Sequence, residues 1–366
     1  MKSLKSAVLF SQAHEINWTR DPSNEPSNYG VHLTDPKPWN TLRGPVHSRG
    51  GVTGVVYCGG RLLETWGEPG HADQTFSVAK SYLALLTGKA IELGLIDNID
   101  QKVCESIALR GCKSQTGFEG PHNSQITWRH LLNQTSEWSG TSFGIPDQVE
   151  HFRHIVLDPK PVQGRKGDLR TLQTPGSYWE YNDVRINQLS LALLHIFQKP
   201  IPEVFRLYFL DPLEGAQDFE WEGYDNSWLQ VVDPTNEETK LLQSVPGGTH
   251  WGGGVRISAL DQAKIAQMML NAGVINTDTG PLRLINNEWI SSMKTPCPLA
   301  PFYGLLTWLN PNRSTFPGAS ESAYFMFGAG GNYVWIDPEL DAVIVVRWID
   351  PAYFPAFTLK VLEAFS

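Results

Sequence analysis

The chain has 366 residues, of which 41% are hydrophobic, and a formal net charge of -9 at pH 7. This length allows one large domain or two closely packed ones, and the acidic balance argues against a nucleic acid or an anionic membrane surface as a partner. Because no apolar run is long enough for a membrane span or a secretory signal, we expect a cytoplasmic protein with reduced thiols at Cys58, Cys104, Cys112 and Cys297.

The predicted elements begin after an irregular lead-in, because residues up to about 50 are rich in Pro, Asn and Asp. Residues 51–57 and 61–66 predict a β-hairpin, and the apolar stretch 77–94 predicts a buried helix. The later elements are predicted in this order: helices at 128–132, 184–197 and 260–270, strands at 323–327, 333–336 and 342–348, and a terminal helix at 355–365. Strands at both ends and helices between them predict an α+β fold, with one antiparallel sheet and a helical insertion.

A serine and a lysine lie three residues apart where the long buried helix is predicted to begin, in the segment Thr-Phe-Ser-Val-Ala-Lys at 75–80. Positions i and i+3 share a helix face, so the Ser77 hydroxyl and the Lys80 amine can approach each other. A serine is a nucleophile only when a neighbouring group takes its proton, and a buried lysine can do so. This is the S-x-x-K arrangement of serine acyl-transfer enzymes. A capped amphipathic helix with an outward lysine has the same spacing and is the structural alternative.

A second candidate segment is Tyr181-Asn182-Asp183, which precedes the helix predicted from residue 184. A tyrosine just after a turn can project its hydroxyl into a cleft, and a neighbouring ammonium lets a phenol relay protons. The alternative for Tyr181 is a buried structural phenol. Asp183 is predicted to cap the helix, a role compatible with a place in the site.

Glycine clusters mark two further places where backbone can approach a ligand. Residues 328–332, Gly-Ala-Gly-Gly-Asn, lie between two predicted strands. A backbone N–H near Asn332, together with the N–H of Ser77, could form an oxyanion hole, and a plain hairpin loop is the alternative. Residues 247–254 predict a cleft wall carrying Trp251, or an irregular turn.

Two other patterns are not taken as sites. Residues 140–144, Gly-Thr-Ser-Phe-Gly, match the G-x-S-x-G elbow around Ser142, but the strand-turn-helix context is missing. His151 and His154 lie three residues apart without a third ligand. We therefore expect no metal and no cofactor.

Taken together, the motifs resemble the serine β-lactamase and penicillin-binding-protein-like superfamily, and within it the class C-like esterases and 6-aminohexanoate-dimer hydrolases. The resemblance extends over about residues 45–350. It rests on segments at 75–80, 130–136, 181–183, 252–254 with Ser258 and Asp261, 303–304 and 334–338.

The resemblance implies a β-lactamase/transpeptidase-like fold, in which an antiparallel sheet is flanked by N- and C-terminal helices and carries an inserted helical domain. It implies a discontinuous sheet domain of residues 1–80 and 245–366, a mainly helical domain of residues 81–244, and an active site between them. Ser77 is implied as the acylated nucleophile, and Lys80 as its proton acceptor. Tyr181 is implied as the shared base and acid, and the N–H groups of Ser77 and Asn332 as the oxyanion hole.

Two departures from the family pattern bear on function. Asp183 stands where the Y-x-N motif has asparagine, and its charge should favour a protonated Lys80 and place more of the base role on Tyr181. Ala329 and Gly330 stand where much of the family has the cation of K-T-G or H-x-G. A β-lactam or a D-Ala-D-Ala peptide is therefore a less suitable substrate than a neutral one. The predicted cleft walls are Ala329, Gly330, Trp138, Trp179, Trp251 and Phe302.

The sequence thus predicts a metal-free serine hydrolase that cleaves small esters or linear amides through an acyl-Ser77 intermediate. The alternatives are a transacylase with the same nucleophile, a weak β-lactamase, and a non-catalytic ligand-binding homologue. The expected partner is a small-molecule substrate, and the oligomeric state stays open.

Overall fold

The computed structural model describes residues 3–111, 116–232, 238–248 and 250–365. The helices are α1 Lys5–Ala13, α2 Val78–Glu92, α3 Val103–Leu109, α4 Trp128–Leu132, α5 Asp183–Phe197, α6 Ile201–Phe205, α7 Ala259–Leu270, α8 Asn287–Met293 and α9 Phe354–Phe365. The strands are β1 Thr53–Cys58, β2 Arg61–Trp66, β3 Asp73–Gln74, β4 Thr141–Ser142, β5 Ile145–Pro146, β6 Glu220–Glu222, β7 Trp228–Val232, β8 Thr239–Gln243, β9 Gly254–Ile257, β10 Val274–Thr277, β11 Gly280–Arg283, β12 Trp308–Leu309, β13 Tyr324–Gly328, β14 Asn332–Asp337 and β15 Ala342–Arg347.

The main sheet has six strands in the order β12-β13-β14-β15-β1-β2, and neighbouring strands are antiparallel. Strand β15 joins the two ends of the chain, because Val345 is opposite Val55 of β1 on one side and Val334 of β14 on the other. Strands β14 and β15 are buried along their whole length, as expected for strands covered by helices on both faces. The predicted α+β fold with an antiparallel sheet is confirmed.

Helices cover this sheet and join the chain ends. Helix α7 packs against β15, β14 and β1, and α1 packs against α9. The predicted irregular lead-in is wrong for residues 5–13, which form α1. This helix has no side-chain N-cap, and it is held by tertiary contacts such as that between Phe10 and Tyr353, whose ring centres lie 6.3 Å apart.

Helix α2 is deeply buried beside the site. Most of its residues are buried, and it contacts α5 and α6 as well as β13. Gly88 allows close packing, because a side chain there would meet the Trp289 indole at 2.3 Å. A helix that is apolar around its whole circumference belongs in a core. Ser77 therefore lies at the start of a helix that the rest of the fold holds in place.

Across the described part of the chain, no helix combines the length and apolar character needed to cross a bilayer. Cys58, Cys104 and Cys297 are free thiols, whereas Cys112 lies outside the described residues. The boundaries of the two domains stay a prediction.

Candidate active site

Ser77 and Lys80 meet at the start of α2. The Lys80 amine donates a hydrogen bond to Ser77 Oγ at 2.8 Å, and Ser77 Oγ donates to the carbonyl oxygen of Gly248 at 3.0 Å. Lys80 is only 1% exposed, so the alternative of an outward-facing lysine is excluded. The hydroxyl thus has a nitrogen base within direct proton-transfer distance.

The residue before the nucleophile holds an unusual backbone conformation. Phe76 has a φ of 51°, in the left-handed region that non-glycine residues rarely adopt and that costs about 1–3 kcal/mol. Its ring lies among Trp18, Tyr29 and Trp348, at 5.8, 5.9 and 6.3 Å between ring centres. This aromatic packing fixes the turn and therefore the direction of the Ser77 side chain.

Asp183 is the direct counter-ion of Lys80, at 2.7 Å between Oδ1 and Nζ. The prediction that Asp183 caps α5 is wrong, because Asn182 accepts hydrogen bonds from the N–H groups of Val184 and Arg185. Asp183 is the first residue of α5, and the positive end of the helix dipole there also favours a carboxylate. Asparagine as cap leaves the aspartate side chain free to face the site.

Behind Asp183, buried side chains of alternating charge form a closed ring. His250 Nδ1 lies 2.8 Å from Asp183 Oδ2, and His250 Nε2 lies 2.9 Å from Asp35 Oδ2. On the other side, Arg153 lies 3.1 Å from Asp183 Oδ2 and 2.5 Å from Glu150 Oε2. We call this set the charge ring, and its members are Asp183, His250, Asp35, Lys166, Glu150 and Arg153.

Lys166 closes the charge ring by contacting both Asp35 and Glu150, the latter at 3.0 Å. The acids Asp35 and Glu150 also form, with His250, a cluster of the kind that can hold a metal ion. The Lys166 ammonium bridges the two carboxylates of this cluster. It therefore supplies the positive charge that these carboxylates need.

The charge ring shifts the acid strength of its members. Burial alone would raise the pKa of the Asp183 carboxyl, but Lys80, Arg153 and His250 outweigh it and hold the pKa well below its usual range. Burial is likewise outweighed at Glu150, where Arg153 and Lys166 lower the pKa to about 2. Burial lowers the pKa of His250, but the carboxylates of Glu150, Asp183 and Asp35 reverse this effect and raise it. With a carboxylate at each ring nitrogen, His250 is held as the imidazolium.

The raised pKa of His250 gives a pH-dependent contribution to stability. A folded-state pKa above the unfolded value of about 6.5 stabilises the protein fully below that pH, and the contribution is lost as pH rises through the folded-state pKa. We expect the loss of unfolding free energy in His250→Gln to be largest below about pH 6.5 and to shrink as pH rises through the folded-state pKa. Urea unfolding of both proteins across this range measures it, with the exposed His71→Gln as control. A loss independent of pH would contradict an imidazolium at His250.

Tyr181 lies beside the same two cations. The Lys80 amine and the Arg153 guanidinium lie 5.0 and 5.1 Å from the centre of its ring. Its ring packs 5.2 Å from Trp308 between centres, and its hydroxyl makes no hydrogen bond to any residue that the structure describes. Tyr181 also lines the cavity that reaches Ser77. The structure thus brings together three of the predicted site residues and Asp183.

A cavity of about 1090 Å³ opens beside Ser77 and Tyr181. Ala329 lines it, as the sequence predicts, but Gly330 does not. Gly330 is a turn residue with a φ of 75°, and a side chain there would meet Trp348 at 2.7 Å. The remaining walls come mostly from β12–β14 and from residues 152–166.

The prediction that Trp138 and Trp251 contact the substrate is wrong, because neither lines this cavity. Trp138 is buried and packs edge to face on Phe118 at 5.1 Å. Trp251 is fully buried, and its Nε1 donates to Asp35 at 2.7 Å. The glycine-rich segment around Trp251 therefore folds inward and supports the charge ring.

Two other predicted walls also lie outside this cavity. Trp179 and Tyr181 line a smaller neighbouring cavity of about 230 Å³. Phe302 packs edge to face on Trp179 at 5.1 Å. These rings support Tyr181 from behind.

Asn332 is not on the cavity wall either. It lies in the interior strand β14, where its side chain donates to Ala329 O at 2.7 Å and accepts from Arg347 Nε at 3.2 Å. Strand β13 pairs with β12 only at Tyr324 and Phe325. On the side that faces β12, the last residues of β13 therefore have no partner strand among the described residues. A side chain on Gly328 would meet the Thr75 carbonyl at 1.9 Å, so this edge touches the turn before Ser77. Backbone N–H groups at the end of β13 are therefore better placed than that of Asn332.

Ser142, the serine of the G-x-S-x-G pattern, has a structural position. Ser142 lies in the short β4–β5 pair opposite Ile145, is buried and does not line the cavity. His151 binds the Asp147 carboxylate at 2.9 Å.

Sequence reasoning missed most of the charge ring and the cavity wall. Asp35, Arg153 and Lys166 lie in loops, and Glu150 ends a short 3-10 helix. Asp35 and Lys166 are 131 positions apart in the chain, so no sequence spacing marks the contact. The only sequence signal for the charge ring is the presence of ionisable residues in Pro- and Gly-rich segments.

The comparison with protein-family models matches residues 40–348 to the Beta-lactamase family. This range contains Ser77, Lys80, Tyr181 and Asp183. No curated protein matches the sequence significantly.

Solved structures share the fold at low sequence identity. A β-lactamase from Mycobacterium bovis is 18% identical, with a TM-score of 0.56 over 86% of this chain and 94% of that one. A Bacillus anthracis protein provisionally assigned as a 6-aminohexanoate-dimer hydrolase is 17% identical, with a TM-score of 0.57 over 85% and 77%. EstCE1, described as a hydrolase with promiscuous acyltransferase activity, is 15% identical, with a TM-score of 0.56 over 99% of each chain. At these identities the likeness shows the fold alone.

Proposed function

Because the chain belongs to the beta-lactamase family, we propose that it is a serine hydrolase that cleaves neutral esters or linear amides through an acyl-Ser77 intermediate. The observation that carries the proposal is the contact of 2.8 Å between Lys80 Nζ and Ser77 Oγ, beside an open cavity. A nucleophile, a base in contact with it and an orienting carboxylate are the parts that covalent acyl transfer needs. Asp183 is the orienting carboxylate, at 2.7 Å from Lys80.

In the acylation step, Ser77 Oγ attacks the substrate carbonyl carbon and its proton passes to Lys80 or Tyr181. The same proton then goes to the leaving alcohol or amine as the carbon–heteroatom bond breaks. Because the Lys80 amine is ion-paired with Asp183 at 2.7 Å, we assign Tyr181 the larger part of the proton transfer. In the second step, water attacks the acyl carbon and gives its proton to Tyr181. This proton returns to Ser77 Oγ as the ester bond to Ser77 breaks and the acid leaves.

The negative charge on the carbonyl oxygen needs two hydrogen-bond donors in each step. The N–H of Ser77, at the start of α2, is one, and an N–H from the end of β13 is the other. Backbone donors fixed by a helix and a strand need no reorganisation during the reaction. They therefore stabilise the developing negative charge more effectively than mobile donors would.

The charges around the cavity favour a neutral substrate. Arg153 and Lys166 line the cavity, but each is bound by two carboxylates of the charge ring. Ala329 supplies no cation at the third motif. A substrate carboxylate would therefore have to compete with buried ion pairs.

A substrate panel tests the proposal. We expect the protein to hydrolyse p-nitrophenyl butyrate faster than the matching p-nitroanilide, to leave the β-lactam nitrocefin intact, and to keep its rate in EDTA. Butyrate release is followed together with nitrophenol. Binding of the ester without turnover would support a non-catalytic homologue, and loss of activity in EDTA would contradict a metal-free mechanism.

Acyl transfer to an alcohol is a second candidate. The cavity of about 1090 Å³ leaves room for an acceptor beside the acyl group, and the similar EstCE1 is described as having acyltransferase activity. Product analysis with added butanol separates the two outcomes, because transfer gives butyl butyrate where hydrolysis gives butyric acid.

A further inference from the structure

The cavity beside Ser77 has an aromatic wall that runs away from the reacting centre. From Tyr181, the Trp308 ring lies 5.2 Å away, and Phe327 follows at 5.6 Å with its plane within 18° of Trp308. Beyond Phe327, the rings of Phe316 and Tyr333 lie at 5.4 and 5.1 Å. All five rings line the cavity. The wall is therefore a continuous apolar surface that begins at the proposed proton relay.

The facing wall is aliphatic and partly uncovered. Ile155, Val156, Leu157 and Val162 line the cavity from the 152–166 segment. Val156 is 83% exposed and Val162 is 43% exposed. When a ligand covers apolar side chains that are exposed to water beside an apolar cavity, the free energy of the complex is lowered.

The size of the cavity sets the scale of that ligand. Small-molecule sites usually measure about 300–1,000 Å³, so a volume of about 1090 Å³ lies just above that range. An acetyl or butyryl group fills only a small part of it. The sequence-based expectation of a small substrate therefore does not fit this cavity.

We propose that the cavity between the aromatic wall and the 152–166 segment binds a bulky apolar acyl group of a neutral ester. This inference rests on the proposed function and names its substrate class. The acyl group is assigned here because it stays attached to Ser77 through both steps, whereas the alcohol leaves after the first. The arginine and lysine of this segment that line the cavity, Arg153 and Lys166, are held by the charge ring and leave its aliphatic side chains to the ligand.

Two ester series test the assignment. In p-nitrophenyl esters from acetate to octanoate, where only the acyl chain changes, kcat/KM is expected to rise about tenfold or more as methylene groups are buried. In alkyl acetates, where only the alcohol changes, the rise is expected to be smaller. A flat acyl series with Ser77-dependent acetate hydrolysis would overturn this inference and leave the proposed function intact. Dependence on the alcohol chain alone would overturn the acyl assignment.

Variants on the exposed aliphatic wall locate the site without disturbing the core. Val156→Asp and Val162→Asp are each expected to lower the octanoate-to-acetate ratio of kcat/KM about tenfold. Leu241→Asp is the matched control, because Leu241 on β8 is 63% exposed, between the two valines, and does not line the cavity. An unchanged ratio in both valine variants would overturn the proposal.

Discussion

Replacing Ser77 with alanine is expected to lower kcat/KM for p-nitrophenyl butyrate by about 10⁴-fold or more, since loss of a catalytic serine removes the covalent route. The Ser77 hydroxyl is the only atom of that side chain that reaches both Lys80 Nζ and the Gly248 carbonyl, at 2.8 and 3.0 Å. Alanine leaves the backbone N–H of the oxyanion hole in place. The residual rate therefore reports binding and oxyanion stabilisation alone.

The matched control is Ser81→Ala, one turn further along α2. Ser81 is also buried, but its hydroxyl donates to the Leu306 carbonyl at 2.6 Å and takes no part in the site. Wild-type activity in Ser81→Ala, with similar thermal unfolding of the two variants, separates chemistry from stability. A Ser77→Ala protein with more than about a tenth of the parental rate would contradict nucleophilic catalysis by Ser77.

Replacing Asp183 with asparagine is expected to lower the free energy of unfolding by about 3–5 kcal/mol, because a buried charge cluster loses one partner. Asp183 contacts Lys80, Arg153 and His250, and each of these three groups loses a charged partner when the carboxylate is removed. Urea unfolding measures the loss. The exposed Asp225→Asn, expected to change stability by no more than about 0.5 kcal/mol, is the control.

The same variant separates the role of Asp183 in chemistry from its role in stability. Without the carboxylate, Lys80 loses its ion-pair partner and the contact that orients it towards Ser77 Oγ, so kcat/KM for p-nitrophenyl butyrate is expected to fall about tenfold or more. The stability of wild type also depends on this group: since its pKa is lowered, its contribution is present above the unfolded value of about 3.9 and is lost as pH falls through the folded value. Unchanged stability and an unchanged kcat/KM in Asp183→Asn would contradict the proposed link to Lys80.

The local parts of this site can be predicted from sequence. Ser77 and Lys80 meet because three residues of helix bring two side chains to one face, and this geometry depends on no other element. The alternating and apolar runs at both chain ends likewise predict β1, β2 and β13–β15, because strand burial leaves a pattern in nearby residues.

The long-range parts cannot be predicted in this way. The charge ring joins Asp35 of the lead-in to Lys166, and His250 to Asp183, through contacts that only the folded chain creates. The glycine cluster at 247–254 predicts Trp251 on the cleft, but its indole N–H binds the buried Asp35. Asn332 was placed by motif, although its strand lies inside the sheet. In each case tertiary packing decides which way a side chain or an N–H group points.

The most direct test of acylation at Ser77 is intact-protein mass spectrometry after exposure to a fluorophosphonate, in which Ser77 Oγ bonds to phosphorus and fluoride leaves. Wild type and Ser81→Ala are predicted to gain one adduct each, and Ser77→Ala is predicted to gain none. An adduct that persists in Ser77→Ala, or its absence from wild type that hydrolyses esters, would contradict an activated Ser77.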